Sequence, residues 1–367
     1  MSDSLVPETR VLAIASHVVY GHVGNKMATL VMQLLGCDVA ALNTVHFSNH
    51  TGYRQFKGTR ATAEEIRTLY EGLCQNYLTD FDVMLSGYAP SAAAVEVVGD
   101  IGKDLQRKAA SKPGSFFWVL DPVMGDQGRL YVNNDVVPAY KKIIPHADLI
   151  LPNQFEAEVL AGLEIASLSN LAEAITTIHK VYNIPHVIIT SVQLAKLTST
   201  AEPTTNPNTN PLTVIGSTIT STGLPRLFRI DVPALDCFFS GTGDMFAALT
   251  VARLREAVFT AADPDLKNRK SWVSGDEVPA TELPLAKAAE KVLASMHDVL
   301  EKTMEARDAE LAATSSSSIL TSDEASEEEK QKREHLRLTK AAEVRLVRNA
   351  KFLREPTVVF KAKGWEE

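Results

Sequence analysis

The sequence has 367 residues, of which 45% are hydrophobic and 22% charged, a composition typical of a globular protein. Its formal net charge of −8 argues against nucleic acid as a main partner, since binding to a phosphate backbone requires a positive face. No apolar signal segment or membrane-length apolar run occurs, and the three cysteines have no zinc-site spacing. We therefore expect a cytoplasmic protein, or alternatively a nuclear one, with free thiols and no membrane partner.

Short apolar, β-branched segments alternate with longer amphipathic ones, which predicts an α/β fold with a mostly parallel sheet and helices on both faces. The residues of the predicted helix starts are Thr62–Glu65, a capping box, and Asn170 with Glu173. Ligands of such sheets bind beyond the carboxyl ends of the strands, so we expect functional residues directly after each strand. The predicted strands are residues 11–15, 39–45, 83–85, 116–120, 149–151 and 187–190.

The chain is predicted to be a single domain, 1–367, with its core at about residues 10–303 and a C-terminal helix and strand in 336–363. Residues 195–225 and 262–282 are polar and lack periodicity, which predicts surface insertions. Residues 314–333 are low in complexity and predict a linker, although 327–333 could instead begin a solvated helix.

The strongest local signal is Gly241-Thr242-Gly243-Asp244, directly before an apolar helical segment. Glycines let a ligand approach the backbone, and the unpaired N–H groups of a helix start attract phosphate. Asp244 could accept a proton from an attacking hydroxyl, or it could only complement the helix dipole. No Walker P-loop and no protein-kinase glycine loop occur, so any phosphoryl transfer must use another architecture.

Two further pairs of polar residues, each with at least one carboxylate, follow predicted strands. Asn153 and Glu156 could bind hydrated Mg²⁺, or they could be an N-cap and its partner at the start of a helix. Asp121 and Asp126 could hold a metal or its waters, with an ordinary turn as the alternative, and the glycines that follow predict a mobile flap.

The loops after the first two strands carry polar and aromatic side chains. Residues 13–25 lack G-x-G-x-x-G, which disfavours NAD. Residues 45–53 combine aromatic, hydroxyl and imidazole groups, which suits a flat heteroaromatic ligand, although each histidine alone is more often structural.

Together these motifs closely resemble the eukaryotic pyridoxal kinases of the ribokinase-like superfamily, with agreement from about residue 10 to 303 outside the insertions. The resemblance implies a three-layer sandwich that phosphorylates the 5′-hydroxymethyl group of pyridoxal, pyridoxine or pyridoxamine with ATP, a vitamin B6 salvage reaction. It also implies Mg²⁺ or another divalent cation, K⁺ or Na⁺, and a homodimer. The segments that carry it are 16–19, 24–25, 47–53, 70–72, 87–88, 121–126, 152–158, 189–191 and 241–244.

The resemblance also implies roles for individual residues. Asp244 would be the base, and the amides of Gly241, Thr242 and Gly243 the anion hole. The vitamer would contact or pack near Ser16, Val45, Phe47, Thr51 and Tyr88. The Mg²⁺–ATP side, including the flap and the monovalent cation, would use Asp121, Asp126, Tyr131, Asn153, Glu156, Thr190 and Ser191.

One departure from the family pattern concerns the cation site. Leu151 stands where the family usually has threonine, which predicts weaker dependence on K⁺ unless this side chain lies in the core. The alternatives to a pyridoxal kinase are a hydroxymethylpyrimidine or sugar kinase of the same superfamily, or a non-catalytic binder of pyridoxal phosphate.

Overall fold

The computed structural model describes residues 6–192, 211–315 and 326–365, and within them the chain forms one ten-stranded sheet and a two-stranded hairpin. The strands are β1 Thr9–Val18, β2 Cys37–Phe47, β3 Gly58–Arg60, β4 Val83–Ser86, β5 Phe117–Leu120, β6 Gly125–Asp126, β7 Arg129–Leu130, β8 Leu149–Ile150, β9 His186–Val192, β10 Leu212–Ile219, β11 Pro225–Val232 and β12 Lys363–Gly364. The helices are α1 Gly24–Leu34, α2 Ala63–Gln75, α3 Ala92–Ala109, α4 Val136–Ile143, α5 Gln154–Ala161, α6 Leu168–Tyr182, α7 Thr242–Phe259, α8 Pro284–Ser315, α9 Glu327–Ala341 and α10 Ala350–Arg354.

The sheet order is β12-β11-β10-β9-β8-β5-β4-β1-β2-β3. The six strands from β9 to β2 in this order are parallel, and antiparallel strands extend the sheet at both edges. All six predicted strands are present, so the prediction of a mostly parallel sheet is confirmed. The carboxyl ends of the parallel strands therefore meet at one edge, where ligands of such sheets bind.

Alternation along the strands builds two separate cores, one on each face of the sheet. Val11 and Ala13 pack on one face, whereas Leu12 and Ile14 pack on the other. Helices α1, α7 and α8 cover the first face, and α2 to α6 cover the second. The predicted three-layer arrangement is confirmed.

The predicted helix starts are partly correct. Thr62 caps α2 in a capping box with Glu65, as predicted. Helix α6 instead begins after Ser167, whose side chain accepts a hydrogen bond from the amide of Asn170. The pair Asn170 and Glu173 therefore lies inside the helix, because a serine three residues earlier already provides the cap.

The prediction of a surface insertion at 195–225 is wrong for its second part. Residues 193–210 lie outside the described residues, but β10 is an interior strand between β9 and β11. Its polar side chains find buried partners: the ring of His179 lies 2.8 Å from the hydroxyl of Ser217, and that of His186 lies 2.8 Å from the hydroxyl of Thr218.

The predicted insertion at 262–282 and the predicted linker at 314–333 are also more ordered than predicted where the structure describes them. Within 262–282, Leu266 and Trp272 are buried, and the Trp272 ring stacks on Phe117 with centroids 4.2 Å apart. Residues 327–333 belong to α9, whose first turn is capped by Ser326. This result agrees with the alternative of a helix start, while residues 316–325 lie outside the described residues. No helix in the described ranges is long and apolar enough to cross a bilayer.

Candidate active site

The start of α7 lies at the carboxyl edge of the parallel strands. Gly241 precedes the helix with φ +83°, a left-handed conformation that favours glycine. A β-carbon at Gly241 would lie only 2.3 Å from the carbonyl oxygen of His22, so a larger residue would also clash. The first amides of this helix have no partner within it, which makes the Gly241–Gly243 segment suitable for holding a phosphate.

Asp244 lies in the first turn of α7. Burial raises the pKa of its carboxyl to about 6, and a hydrogen bond from the backbone N–H of Gly24 opposes this effect. A carboxyl of this pKa is mostly ionised at neutral pH and remains a better proton acceptor than an ordinary aspartate. This geometry is what a general base beside an anion-binding helix start requires.

Ser16 is packed against Gly24, the residue whose N–H donates to Asp244. Gly24 has φ +54°, and a β-carbon there would lie 2.0 Å from the carbonyl oxygen and 2.3 Å from the hydroxyl of Ser16. Gly24 therefore brings a predicted vitamer contact and the predicted base together. Asn25, which is buried, donates hydrogen bonds to the carbonyl oxygens of Ala15 and Leu42 and fixes the start of α1 on β1 and β2.

Asp121 follows β5, and its backbone N–H donates a 2.8 Å hydrogen bond to the carbonyl oxygen of Ser86 in β4. A β-carbon built on Gly243 would lie 3.8 Å from Oδ2 of Asp121, so this carboxyl faces the helix start. Its pKa is raised well above the usual range, first by burial and then by the negative charges of Glu156 and Asp244. Three acidic groups thus share one region, which a cation would stabilise.

Asn153 and Glu156 form a capping box at the start of α5, as one of the two sequence-based alternatives predicts. The Glu156 carboxylate also accepts hydrogen bonds from the backbone N–H groups of Met124, at 2.8 Å, and Gly125, at 3.3 Å. The Asn153 side chain donates to the carbonyl oxygen of Gly125 at 2.7 Å. Both carboxylate oxygens are therefore already engaged, and a direct metal bond from Glu156 would compete with these amides.

The predicted flap is the hairpin of β6 and β7. Gln127 and Gly128 form its turn with φ +50° and +77°. Asp126 accepts a hydrogen bond from the Gln127 amide and is exposed, and Tyr131 is 59% exposed just beyond the hairpin. Both predicted residues are therefore largely exposed, while the pKa of Tyr131 is raised by burial and by the negative charges of Glu156 and Asp121, so its hydroxyl lies near the acidic groups.

A cavity of about 790 Å³ lies between this hairpin, β9 and the start of α7. Its size suits a nucleotide, since ligand pockets commonly span about 300–1,000 Å³. The predicted nucleotide-side residues on its wall are Asp126, Thr190, Ser191, Thr242 and Gly243.

The predicted vitamer contacts lie around β1, β2 and β4, outside that cavity. Val45, Phe47 and Tyr88 pack in a small apolar cluster with Val18 and Val23. Thr51 is exposed in a short 3-10 helix, Thr51–Tyr53, that follows β2. The residues predicted for the nucleotide and those predicted for the vitamer therefore lie in two separate regions, and the contact of Gly24 with Ser16 and Asp244 lies between the two regions.

The residues present fit a divalent cation that arrives with its own ligands. No group of three His, Cys, Asp or Glu side chains within the described ranges could by itself hold a metal. Mg²⁺ usually binds through one or two carboxylates with phosphate oxygens and water completing its shell. Asp121 is half-buried, forms no ion pair within the part of the chain that the structure describes, and lies close to the glycine-led start of α7, so it is suited to that role.

Leu151 is 3% exposed and packs in the same core cluster as Leu149, two residues earlier on the same face. The alternation of side chains along the strand explains this orientation, which agrees with the packing alternative for Leu151.

Comparisons with known proteins agree with this geometry. A family model described as phosphomethylpyrimidine kinase matches residues 87–261. A putative pyridoxal kinase of Schizosaccharomyces pombe is 37% identical over 294 residues, 80% of this chain and 85% of the relative. The human pyridoxal kinase is 35% identical over 81% of this chain and 86% of its own. The chain belongs to the pyridoxal kinase family.

The solved structures lead to the same family. Pyridoxal kinase from Leishmania donovani in complex with ADP and pyridoxamine is 30% identical, with a TM-score of 0.73, and covers 97% of this chain and 99% of its own. The Trypanosoma brucei pyridoxal kinase is 26% identical, with a TM-score of 0.70. The predicted family, fold and enzyme class are therefore confirmed.

Proposed function

We propose that this protein transfers the γ-phosphoryl group of ATP to the 5′-hydroxymethyl group of pyridoxal, pyridoxine or pyridoxamine. The observation that carries the proposal is the position of Asp244, an ionisable carboxyl of raised pKa in the first turn of a glycine-led helix. It lies where the vitamer side, marked by Ser16 and Gly24, meets the nucleotide side.

In the proposed reaction the vitamer hydroxyl oxygen attacks the γ-phosphorus, and the bond from that phosphorus to the β–γ bridging oxygen breaks. Asp244 accepts the hydroxyl proton, and ADP leaves. A primary alcohol is far less acidic than a carboxylic acid, so the proton leaves late, as a loose transition state allows. The amides of Gly241, Thr242 and Gly243 stabilise the charge on the transferred group.

Asp121 would hold a divalent cation together with the ATP phosphates, and the cation would neutralise charge on the transferred phosphoryl group. Asp126 and Glu156 would act on its water shell, and Glu156 would at the same time fix the base of the flap. Asn153, Thr190, Ser191 and Tyr131 would serve the nucleotide. A monovalent cation, K⁺ or Na⁺, would lie near Thr190 and Ser191.

The vitamer would be held by Ser16, Thr51 and Tyr88 and packed by Val45 and Phe47. The grouping of Val45, Phe47 and Tyr88 around one apolar cluster supports this assignment. We also propose a homodimer in the cytoplasm, on the basis of the family resemblance, the acidic charge and the free cysteines.

A coupled assay with ATP and each vitamer tests the proposal directly. The match to the phosphomethylpyrimidine kinase model keeps hydroxymethylpyrimidine as a second candidate substrate, so it belongs in the same assay. We expect turnover with at least one B6 vitamer at a kcat/KM well above that for hydroxymethylpyrimidine. Binding of pyridoxal phosphate without any turnover of the three vitamers would instead indicate a non-catalytic binder.

A further inference from the structure

The segment around the end of α9 reaches the loops that form the vitamer side. The His335 ring lies 2.9 Å from the carbonyl oxygen of Gly52. Two residues beyond α9, Glu343 enters the space between the loop after β1 and the loop after β2, and its side chain is only 14% exposed. Neither contact is explained by the roles proposed above.

The Glu343 carboxylate has hydrogen-bond partners in both loops. Its Oε1 accepts a 2.9 Å hydrogen bond from the Tyr53 hydroxyl and lies 3.1 Å from Nε2 of His50. It also accepts a hydrogen bond from the backbone N–H of His22, and the pKa of Glu343 is lowered by these partners despite burial. The charged form of the carboxylate is therefore the one that this pocket holds.

Gly21 makes this approach sterically feasible. It has φ +89°, and a β-carbon there would lie 2.5 and 2.6 Å from the two oxygens of Glu343. A β-carbon would therefore displace the carboxylate from this point of the loop, and the positive φ itself favours glycine.

The two loops held by Glu343 carry residues that matter for catalysis. His22 is two residues before Gly24, whose amide donates to Asp244. His50 and Tyr53 flank Thr51 within one short 3-10 helix and its cap. A single carboxylate thus fixes the distance between the segment that contacts the base and the segment that carries a vitamer contact.

We propose that Glu343 is a positioning residue of the vitamer site, which makes the segment after α9 part of that site. The inference rests on the proposed function for the identity of the substrate. Among the described residues, the partners of the Glu343 carboxylate are His22, His50 and Tyr53, and Glu343 does not line the cavity beside the β6–β7 hairpin, so its loss should affect the vitamer more than ATP.

The test compares Glu343→Ala with Glu334→Ala, which removes an exposed carboxylate of α9 that pairs with Arg337. Kinetics with pyridoxal and with ATP varied separately are combined with calorimetric measurement of pyridoxal binding. Because charge-assisted hydrogen bonds are lost in Glu343→Ala, we expect kcat/KM for pyridoxal to fall about tenfold or more and pyridoxal binding to weaken. The KM for ATP should stay within about twofold of the wild-type value. Glu334→Ala should match the wild type.

Tyr53→Phe provides a milder variant that removes one hydrogen bond and keeps the ring. We expect it to raise KM for pyridoxal about two- to fivefold, and a cycle with Glu343→Gln should be non-additive, since the first change removes and the second weakens the same hydrogen bond. If Glu343→Ala does not fold, Tyr53→Phe still tests whether this contact positions the vitamer.

Equal changes of KM for ATP and pyridoxal, or unchanged pyridoxal kinetics in the folded variants, would overturn the inference. A wild-type protein without turnover of any vitamer would contradict the proposed function instead, so the two failures are distinguishable.

Discussion

The Asp244 carboxylate accepts a hydrogen bond from the backbone N–H of Gly24, and Gly24 in turn lies against Ser16. The base at the start of α7 is thereby connected to the end of β1, which is more than two hundred residues earlier in the chain. The hydrogen bond favours the ionised carboxylate, whereas burial opposes it. Because burial outweighs the hydrogen bond, the pKa of Asp244 rises to about 6, which suits a group that accepts a proton near neutral pH.

Asp244→Asn should fold normally and bind pyridoxal while turnover falls about 10²–10⁴-fold, the usual cost of removing a general base. Steady-state kinetics, thermal melting and pyridoxal binding measure the three properties. Asp100→Asn, which changes an exposed aspartate on α3, is the matched control. Turnover above about half of the wild type would reduce Asp244 to a partner of the helix dipole.

The pH dependence follows from the raised pKa of Asp244, about 6. Below this pH the carboxyl is protonated and cannot accept the hydroxyl proton, so kcat/KM for pyridoxal should fall on the acid side with an apparent pKa near 6. In Asp244→Asn the residual activity should lack this acid limb. A limb that persists in the variant would assign it to another group or to the substrate.

Gly24→Ala should lower kcat/KM strongly, because a methyl group there meets both the carbonyl and the hydroxyl of Ser16. Gly162→Ala is a matched control: this glycine at the end of α5 also has a positive φ, +71°, but has nothing within 4 Å of the added carbon. Both variants should lose about 1 kcal/mol or more of stability through backbone strain. Only Gly24→Ala should lose activity, and equal kinetics for the two would contradict the role of Gly24.

Glu156→Ala should destabilise the protein even without nucleotide or metal. It removes the acceptor of the buried amides of Met124 and Gly125, and each unsatisfied group costs about 1–3 kcal/mol. Thermal melting in the presence of EDTA measures the effect, with the exposed Glu164 changed to alanine as the control. An unchanged melting temperature would leave Glu156 with a metal-side role alone.

Leu151→Thr should cost about 2–4 kcal/mol of stability, since it exchanges a buried leucine for a smaller, polar side chain. The K⁺ dependence of turnover should stay as in the wild type, because the side chain points into the core. Turnover in K⁺-only and Na⁺-only buffers, together with melting, checks both statements. A steeper K⁺ requirement in the variant would show that the threonine hydroxyl reaches the cation.

The parallel sheet could be predicted because its strands are short, continuous apolar segments rich in β-branched residues, and their length and composition distinguish them from buried helices. Strand β10 was missed because Thr213, Ser217 and Thr218 resemble a polar loop. These residues are buried, and each hydrogen-bonds to a group distant in sequence: Thr213 donates to Asp231, Ser217 pairs with His179, and Thr218 pairs with His186. Sequence patterns do not show partners at that separation.

In the functional site, too, the residues that form a local pattern could be predicted, whereas contacts between distant residues could not. The glycine-led start of α7 is a local pattern, so Asp244 and its neighbours could be located from the sequence. The roles of Gly24 and Glu343 depend on which backbone atoms approach each other in three dimensions. For Asn153 and Glu156 the spacing allowed two interpretations, and only the reciprocal hydrogen bonds between the two residues showed that the cap is present. Further hydrogen bonds join this pair to Met124 and Gly125.

The same bonds limit how the flap can move. Glu156 and Asn153 hold the backbone of Met124 and Gly125 to the start of α5, so closure over a nucleotide would bend the hairpin only beyond Gly125. Ordering the backbone costs about 1–2 kcal/mol per residue. Since this loss of conformational entropy would be confined to the few residues of the hairpin tip, closing the flap would consume less of the nucleotide's binding free energy than if Met124 and Gly125 were also free.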